Sequence, residues 1–223
     1  DGRDGHAEDF SDNMGVEGPA ADEAIRAARD RRKRAMMATL LLSQGTPMIL
    51  AGDEFGHSQN GNNNAYNQDN ETTWIDWGAV DHAFLDFTRR LLAFRKAHPI
   101  LRQTMFLHAR ERAIDRIEDL FWWRADGAEM QTADWDDPDA DFVAVEMRTA
   151  SGTPFYATAE YAIFVAFNAG EARQVKLPDP PDGRVWSHQI DTARPAMRAA
   201  RATDGQIDMA GQSVAVCVLL PAD

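Results

Sequence analysis

The 223-residue sequence predicts an α+β fold, and two observations carry that prediction. Residues 22–98 contain two helical patterns separated by one short apolar run. From about residue 104 onward, short apolar runs alternate with turn residues, as is typical of an antiparallel β-sandwich. We therefore divide the chain into residues 1–103, a mainly helical part, and residues 104–223, an all-β sandwich domain.

The first helix is predicted over residues 23–42. Asp22 is a suitable N-cap, and Glu23 lies in the first turn, where a negative charge is favourable. The pattern becomes fully apolar toward Leu42. Residues 29–34 include five bases in six positions. We interpret this basic run as a solvated helix face rather than an anion site, because nothing nearby forms a phosphate cradle.

A short apolar run and a second helix follow. Residues 48–51 come after a tight turn at residues 44–47, and they predict a strand buried on both faces. The next helix is predicted over residues 81–97, with His98-Pro99 ending it. Its large apolar residues recur at spacings of three and four, which predicts one buried face. These residues are Phe84, Phe87, Leu91 and Phe94.

The second part of the chain contains six apolar runs that predict strands. They cover residues 120–123, 142–145, 161–167, 173–177, 185–190 and 213–220. Turn dipeptides such as Asp126-Gly127 and Asp182-Gly183 separate them. Cys217, the only cysteine, lies in the last run, so we expect a buried and inert thiol.

Composition argues against several classes of partner and cofactor. The net charge of -13 argues against a nucleic acid, because proteins that bind nucleic acids present basic patches. No apolar run has the length of a membrane span, so we expect no membrane partner. Neither a metal-ligand spacing of histidines nor a nucleotide-binding glycine motif is present. The acidic run at residues 134–141 lacks the spacing of a calcium loop. We therefore expect no cofactor and no metal.

The candidate functional site is the loop after residues 48–51. Asp53 and Glu54 stand where a strand of a (β/α) unit delivers functional groups at its C-terminal end. Adjacent side chains on a strand point in different directions, however, so these two carboxylates do not form a reacting pair. We predict that Asp53 and Glu54 shape or support the site from behind, and we assign no catalytic residue to this chain.

Residues 61–70 carry the side chains that a sugar requires. Asn and Gln offer both donors and acceptors to hydroxyl groups, and Tyr66, Trp74 and Trp77 offer flat apolar surfaces. The alternative is a loop fixed by Asx turns, with its tryptophans in the core. The position of Trp77 next to the second helix favours the core for that residue. Tyr66 and Asp69 are the better ligand candidates.

These motifs resemble the C-terminal part of a bacterial glycogen debranching enzyme, an isoamylase-like member of the α-amylase superfamily (glycoside hydrolase family 13). The resemblance is densest in residues 40–48, LLLSQGTPM, and in Gly52-Asp53-Glu54. It continues through residues 61–66, GNNNAY, and Gln68-Asp69-Asn70 to Trp74-x-Asp76-Trp77. One departure is Asn67, where relatives commonly carry Cys.

The resemblance implies the fold and the chemistry of the parent enzyme. Residues 23–42 would be the seventh helix of a (β/α)8 barrel, residues 48–51 its eighth strand and residues 81–97 its eighth helix. The family hydrolyses α-1,6 branch linkages in glycogen or limit dextrin with a retaining mechanism. It uses an Asp nucleophile, a Glu acid/base and a second Asp, which follow barrel strands four, five and seven. The resemblance implies that all three precede Asp1, so the chain would start inside a longer sequence and be inactive alone.

The resemblance also implies partners. The loop from Gly56 to Trp74 would form a wall of the glucan cleft, with Asn63, Tyr66, Asp69 and Asn70 contacting α-glucan (glycogen or limit dextrin) in the intact enzyme. The apolar helix faces at residues 36–42 and 84–94 would be exposed, and they would require the N-terminal part of the barrel or a self-association partner. We expect a cytoplasmic protein.

Two alternatives remain open. One is a non-catalytic glucan-binding or structural module. The other is a segment of a pullulanase-type or trehalose-forming relative.

Overall fold

A computed structural model describes residues 12–62, 64–103, 106–112, 116–148 and 162–222. Helices form one layer, a six-stranded antiparallel sheet the second and a two-stranded sheet the third. The helices are α1 (Glu23–Leu42), α2 (His82–Ala97) and the short α3 (Thr132–Trp135). Two 3-10 helices cover Asp53–Phe55 and Pro99–Arg102.

The strands confirm the antiparallel β part of the prediction. They are β1 (Leu120–Trp123), β2 (Phe142–Met147), β3 (Ala162–Asn168), β4 (Arg173–Lys176), β5 (Arg184–Asp191), β6 (Ala200–Arg201), β7 (Gln206–Met209) and β8 (Ser213–Pro221). The larger sheet has the order β1-β2-β3-β8-β5-β6, and β4 pairs with β7 in the smaller one. All six predicted strands are present, whereas the two short strands β6 and β7 were not predicted.

Local capping explains the bounds of the two long helices. The Asp22 carboxylate accepts a hydrogen bond from the Ala24 amide at 2.8 Å, and Asp81 accepts one from the Phe84 amide at 3.0 Å. These side chains satisfy amides that have no partner within the helix. The predicted N-cap Asp22 and the predicted extents of both helices are therefore confirmed, with Asp81 as the cap rather than the first residue of α2.

The central strand β8 is buried on both faces. Val214, Val216 and Val218 share one hydrophobic core with α1 and α2. The alternate residues Ala215, Cys217 and Leu219 share a second core with the two-stranded sheet. Because successive side chains of a strand point to opposite faces, one continuous apolar run supplies both cores. Cys217 is a free, buried thiol, as predicted.

The prediction that the apolar helix faces are exposed is wrong. From α1, Met37, Leu41 and Leu42 pack in the same core as β8, and from α2 Phe84, Phe87 and Leu91 do so. The sheet thus covers the faces that were expected to need another partner. The predicted division at residue 103 stays a prediction, and this core runs across it. Met36 remains 67% exposed on the other side of α1.

The predicted buried strand at residues 48–51 is also not formed. The described structure has no strand there, and Met48 is 86% exposed and Leu50 61% exposed. A strand needs neighbours that accept and donate its backbone hydrogen bonds. In this segment Asp53 is the partner of Leu50: its carboxylate accepts from the Leu50 amide at 3.3 Å, and its amide donates to the Leu50 carbonyl at 3.0 Å. The assignment of α1 and α2 to a barrel stays a prediction.

Arg95 of α2 holds the C-terminal end of α1. Its guanidinium donates at 2.7 Å to the carbonyls of Leu41 and Ser43, and it also donates to the carbonyl of Gly45. The last carbonyls of a helix lack partners within the helix, and a cation is favourable there. Burial lowers the pKa of Arg95 from its ordinary value. The three carbonyls compensate for the removal of this charge from water.

The basic run of α1 makes tertiary contacts and is not simply a solvated face. Arg29 donates to the carbonyls of Gly18 at 2.6 Å and Asn13 at 2.7 Å. Arg34 donates to the carbonyl of Thr192 at 2.7 Å, which links α1 to the loop after β5. The interpretation of residues 29–34 as a solvated surface is therefore wrong for these two side chains. Sequence reasoning weighed only water and anions as partners, whereas backbone carbonyls satisfy these two arginines.

The packing of α1 on the sheet predicts a difference between two neighbouring faces of the helix. Leu41→Ala should lower the free energy of unfolding by about 2–5 kcal/mol, because it leaves a cavity in the helix–sheet core. Met36→Ala should change it by less than about 0.5 kcal/mol, because its side chain is largely in water. Urea denaturation of the chain measures both values. Similar losses for the two variants would contradict the observed orientation of α1.

Candidate functional site

The loop between α1 and α2 begins with a turn built on two glycines. Gly52 and Gly56 have φ values of 100° and 82°, which side chains with a Cβ rarely adopt. Between them, the Glu54 carboxylate accepts a hydrogen bond from the Gly52 amide at 2.8 Å. Together with the bonds between Asp53 and Leu50, this shows that both carboxylates fix their own turn. Each carboxylate bonds to the backbone of this turn, and the two do not form a pair.

An aromatic contact joins this turn to the start of α2. The rings of Phe55 and Trp77 lie 5.5 Å apart between centroids, and the Asp81 amide donates to the Phe55 carbonyl at 3.2 Å. Phe55 is buried, but Trp77 is 71% exposed. The prediction that Trp77 belongs to the core is therefore wrong. Trp77 packs against Phe55 and leaves most of its side chain in water.

The middle of the loop is held by asparagine side chains. The Asn62 side chain accepts from the Asn64 amide at 2.9 Å, and the Asn64 side chain accepts from the Tyr66 amide at 3.4 Å. Asn70 accepts from the Thr72 amide at 2.9 Å and donates to the Gln68 side chain at 3.0 Å. Such Asx turns hold a loop in place without regular secondary structure. The asparagine-rich sequence therefore has a structural role in addition to any binding role.

The predicted substrate-binding residues are placed differently from one another. Asn63 lies outside the described residues. The Tyr66 ring is 84% exposed. Asp69 accepts a hydrogen bond from the Trp74 indole at 2.8 Å, which orients a ring that is 58% exposed. Asn70 is half-buried and engaged within the loop. The geometry provides exposed aromatic surface at Tyr66 and Trp74, with Asp69 positioning Trp74.

The polar side chains of this loop are engaged in local hydrogen bonds, and its aromatic rings are exposed. Within the described residues, Asp53, Glu54, Asp69 and Asn70 all have local hydrogen-bond partners. An exposed aromatic ring can cover the C–H face of a sugar, and the free lone pairs of the carboxylates and amides can accept its hydroxyl protons. Among the described residues, no group of three or more His, Cys, Asp or Glu side chains is placed to hold a metal ion.

A buried ion pair in the sheet was missed by sequence reasoning. Glu146 and Arg148 bond to each other, and their side chains are only 1% and 7% exposed. Burial raises the pKa of Glu146, and the guanidinium of Arg148 opposes that shift. The signal was available in the strand pattern, because Glu146 occupies the inward position that follows Phe142 and Ala144 at intervals of two.

A groove of about 910 Å³ lies beside α1 and is mainly apolar. The exposed face of α1 forms one wall with Met36 and Leu40, and Phe142 and Phe167 of the sheet form the other. Trp135 lies at its edge and is held edge-on by Trp122 with 5.2 Å between the ring centroids.

No helix in the described part of the chain is both long enough and apolar enough to cross a bilayer.

Comparison with known proteins finds a family model that matches the β part. Residues 119–217 match the family model described as isoamylase, C-terminal. We call this matched segment the isoamylase C-terminal domain, and it includes β1 to β7 and the first part of β8.

Curated relatives extend the similarity beyond the isoamylase C-terminal domain. The glycogen operon protein GlgX homolog of Mycobacterium tuberculosis is 39% identical over 202 residues, which covers 86% of this chain and 28% of that protein. The glycogen debranching enzyme of Serratia proteamaculans is 44% identical over 137 residues, covering 61% and 20%. The resemblance predicted from the loop motifs is therefore confirmed. The chain spans 28% or less of the length of these two relatives.

Solved structures share the fold of most of this chain, including the isoamylase C-terminal domain. A pullulanase from Anoxybacillus, solved with maltotetraose, superimposes with a TM-score of 0.60 and 20% identity, covering 88% of this chain and 24% of that chain. Pullulanase type I from Bacillus subtilis, solved with maltose, gives 0.62 and 20%, with 86% and 24% covered. At this identity the similarity concerns the fold, and it includes most of the helical part.

The glycine turn predicts a graded effect of two matched substitutions. Gly45 and Gly52 both have positive φ values, so alanine at either position should cost roughly 1–2 kcal/mol of unfolding free energy. A Cβ at Gly52 would also lie 2.6 Å from the His57 Cβ, whereas nothing lies within 4 Å at Gly45. Gly52→Ala should therefore be the more destabilising variant in urea, and it should alter the near-ultraviolet circular dichroism of Trp77. Equal effects on stability and spectrum would refute this account of the turn.

Proposed function

We propose that this chain is the C-terminal segment of a glycogen debranching enzyme that hydrolyses α-1,6-glucosidic branch linkages in glycogen or limit dextrin in the cytoplasm. The observation that carries the proposal is the set of motifs in the loop of residues 52–77. The 39% identity over 202 residues to a glycogen operon protein supports the same interpretation. The isoamylase C-terminal domain supports the same assignment.

In the proposed enzyme, this chain binds and positions while residues upstream perform the chemistry. A retaining mechanism needs two carboxyl groups about 5–5.5 Å apart across the scissile bond. Asp53 and Glu54 do not fit that requirement, because each is tied to the backbone of its own turn. Their role is to set the shape of the turn from which the loop leaves, and the isolated chain has no catalytic carboxylates.

The loop from Gly56 to Trp74 forms one wall of the glucan cleft in this proposal. Tyr66 covers the apolar face of a glucosyl unit, and Asn63 and Asn70 hydrogen-bond its hydroxyls. Asp69 contacts substrate with the lone pairs that the Trp74 indole leaves free. The high exposure of Tyr66 and the fixed orientation of Trp74 support this arrangement.

The remaining exposed apolar residues are the contact surface for the rest of the barrel. Met36 on α1 and the segment of residues 48–50 carry large side chains that face water in this chain. Residues 48–51 become the eighth barrel strand when strands on both sides supply backbone partners. The groove of about 910 Å³ beside α1 supports an apolar occupant, since Met36 and Leu40 form its wall.

The first test uses the chain alone. It should release no reducing ends from glycogen limit dextrin above the background of a buffer control, because it lacks the nucleophile and the acid that enzymatic acceleration of 10⁶-fold or more (~8 kcal/mol) requires. A full-length relative serves as the positive control. Clear turnover by the purified chain would refute the assignment of all chemistry to upstream residues.

The second test asks whether the loop contacts substrate. A chimera carries this chain in place of the matching C-terminal segment of the Mycobacterium tuberculosis relative, and it should debranch limit dextrin. Tyr66→Ala in the chimera should lower kcat/KM about tenfold or more, because a buried aromatic contact contributes roughly 1.5–3 kcal/mol. Tyr66→Phe keeps the ring and should retain most of the activity. An inactive chimera that is folded would contradict the proposed function. Full activity of Tyr66→Ala would show that Tyr66 does not contact the substrate.

A further inference from the structure

A pocket at the open edge of the sandwich is lined by an unusual combination of side chains. It has a volume of about 350 Å³ and lies where β1 and β2 of the large sheet meet the end of β4. Two aromatic rings, a buried ion pair and two exposed charges line it. These are Phe121, Trp123, Glu146, Arg148, Lys176 and Asp179.

The buried ion pair interrupts an otherwise apolar layer of the sandwich. The neighbouring inward positions on β2 and β3 are apolar, as Ala144 and Phe164 illustrate. Moving two charges out of water costs several kcal/mol per ion, and well-packed apolar residues of the same volume are often at least as stable. Glu146 nevertheless occupies this layer, with its backbone directly opposite Phe121 of β1 and Phe164 of β3. A departure from a consistent apolar pattern is typical of a functional position.

The aromatic wall adds an apolar surface next to these charges. Phe121 and Trp123 project from the same face of β1, with ring centroids 5.9 Å apart and ring planes 28° from parallel. The Arg148 guanidinium lies 5.9 Å from the centroid of Phe121. Ring, guanidinium and carboxylate are therefore adjacent in one pocket. Flat apolar surface beside fixed donors and acceptors matches a ligand with an apolar face and a rim of hydroxyls.

The charges of the pocket indicate the class of ligand. Glu146 and Asp179 balance Arg148 and Lys176, so the pocket has no excess of either sign. An anionic ligand such as a sugar phosphate would meet two carboxylates, whereas a neutral polyol meets donors and acceptors in equal measure. The backbone holds the wall in place: the Lys176 amide donates to the Ala125 carbonyl at 2.9 Å, and the Trp186 indole donates to the Pro178 carbonyl at 2.8 Å.

We propose that this pocket binds one glucosyl unit of an α-glucan chain, at a site separate from the loop between α1 and α2. Phe121 or Trp123 covers the apolar face of the sugar ring, and Glu146 and Arg148 hydrogen-bond its hydroxyls. Lys176 and Asp179 contact the sugar from the rim. The choice of a glucan as ligand rests on the proposed function, and the pocket would tether the enzyme to a chain that it is not cleaving.

The test follows the six tryptophan indole N–H signals of the ¹⁵N-labelled chain during titration with maltotetraose. Trp123→Phe and Trp74→Phe assign the two reporters, one in the pocket and one in the loop. The Trp123 signal should shift saturably, and the Trp135 signal should not. Glu146→Gln should raise the apparent dissociation constant about tenfold, because it removes a charged acceptor. Trp135→Phe should leave it unchanged.

A second variant protects the test against misfolding. If Glu146→Gln unfolds, as judged by circular dichroism, Lys176→Met on the exposed rim should still weaken binding severalfold. A shift of Trp74 alone would place the glucan contact in the loop, which overturns the pocket and leaves the proposed function standing. No saturable shift of any indole also overturns the pocket, while the debranching assignment is judged separately by the chimera.

Discussion

The burial of β8 on both faces is the constraint on which the rest of the structure depends. Its valines need an apolar layer on one side, and Ala215, Cys217 and Leu219 need one on the other. The two-stranded sheet supplies the second layer. Among the elements of the described residues, only α1 and α2 are long enough to supply the first, and both helices pack on the sheet. This explains why the helix faces are covered within this chain.

The position of the loop follows from that packing. Once α1 and α2 lie side by side on the sheet, Arg95 of α2 reaches the carbonyls at the end of α1 and fixes the start of the loop. At the other end, Asp81 caps α2, bonds the Phe55 carbonyl through its amide and lies 3.4 Å from Lys33 of α1. Both ends of the loop are therefore anchored to the helices. The part that carries Tyr66 and Trp74 projects into solvent, where a ligand can reach it.

The sequence predicted what depends on neighbours along the chain. The limits of α1 and α2 follow from Asp22, Asp81 and His98-Pro99, and the longer strands follow from their apolar runs. It failed where the partner is distant in sequence. The predicted strand at residues 48–51 lacks neighbouring strands, and Trp77 packs on Phe55 but not in the core. The apolar faces of α1 and α2 pack on the sheet, which the sequence did not predict. For the candidate site, the motifs located the loop, but they did not reveal that Asp69 orients Trp74 or that Glu54 fixes its own turn.

Two features of the described residues depart from the usual burial of side chains, and they do so in opposite ways. Met48 and Leu50 are apolar side chains in water, whereas Glu146 and Arg148 are charges removed from water. Exposing an apolar side chain costs free energy, and so does removing a charge from water. An exposed apolar segment gains by being covered, so it indicates a protein partner. A buried ion pair beside aromatic rings gains from a ligand that supplies hydroxyls, so it indicates a small polar molecule. The same physical criterion therefore underlies both proposals, the contact of residues 48–50 with the rest of the barrel and the binding of a glucosyl unit beside Glu146.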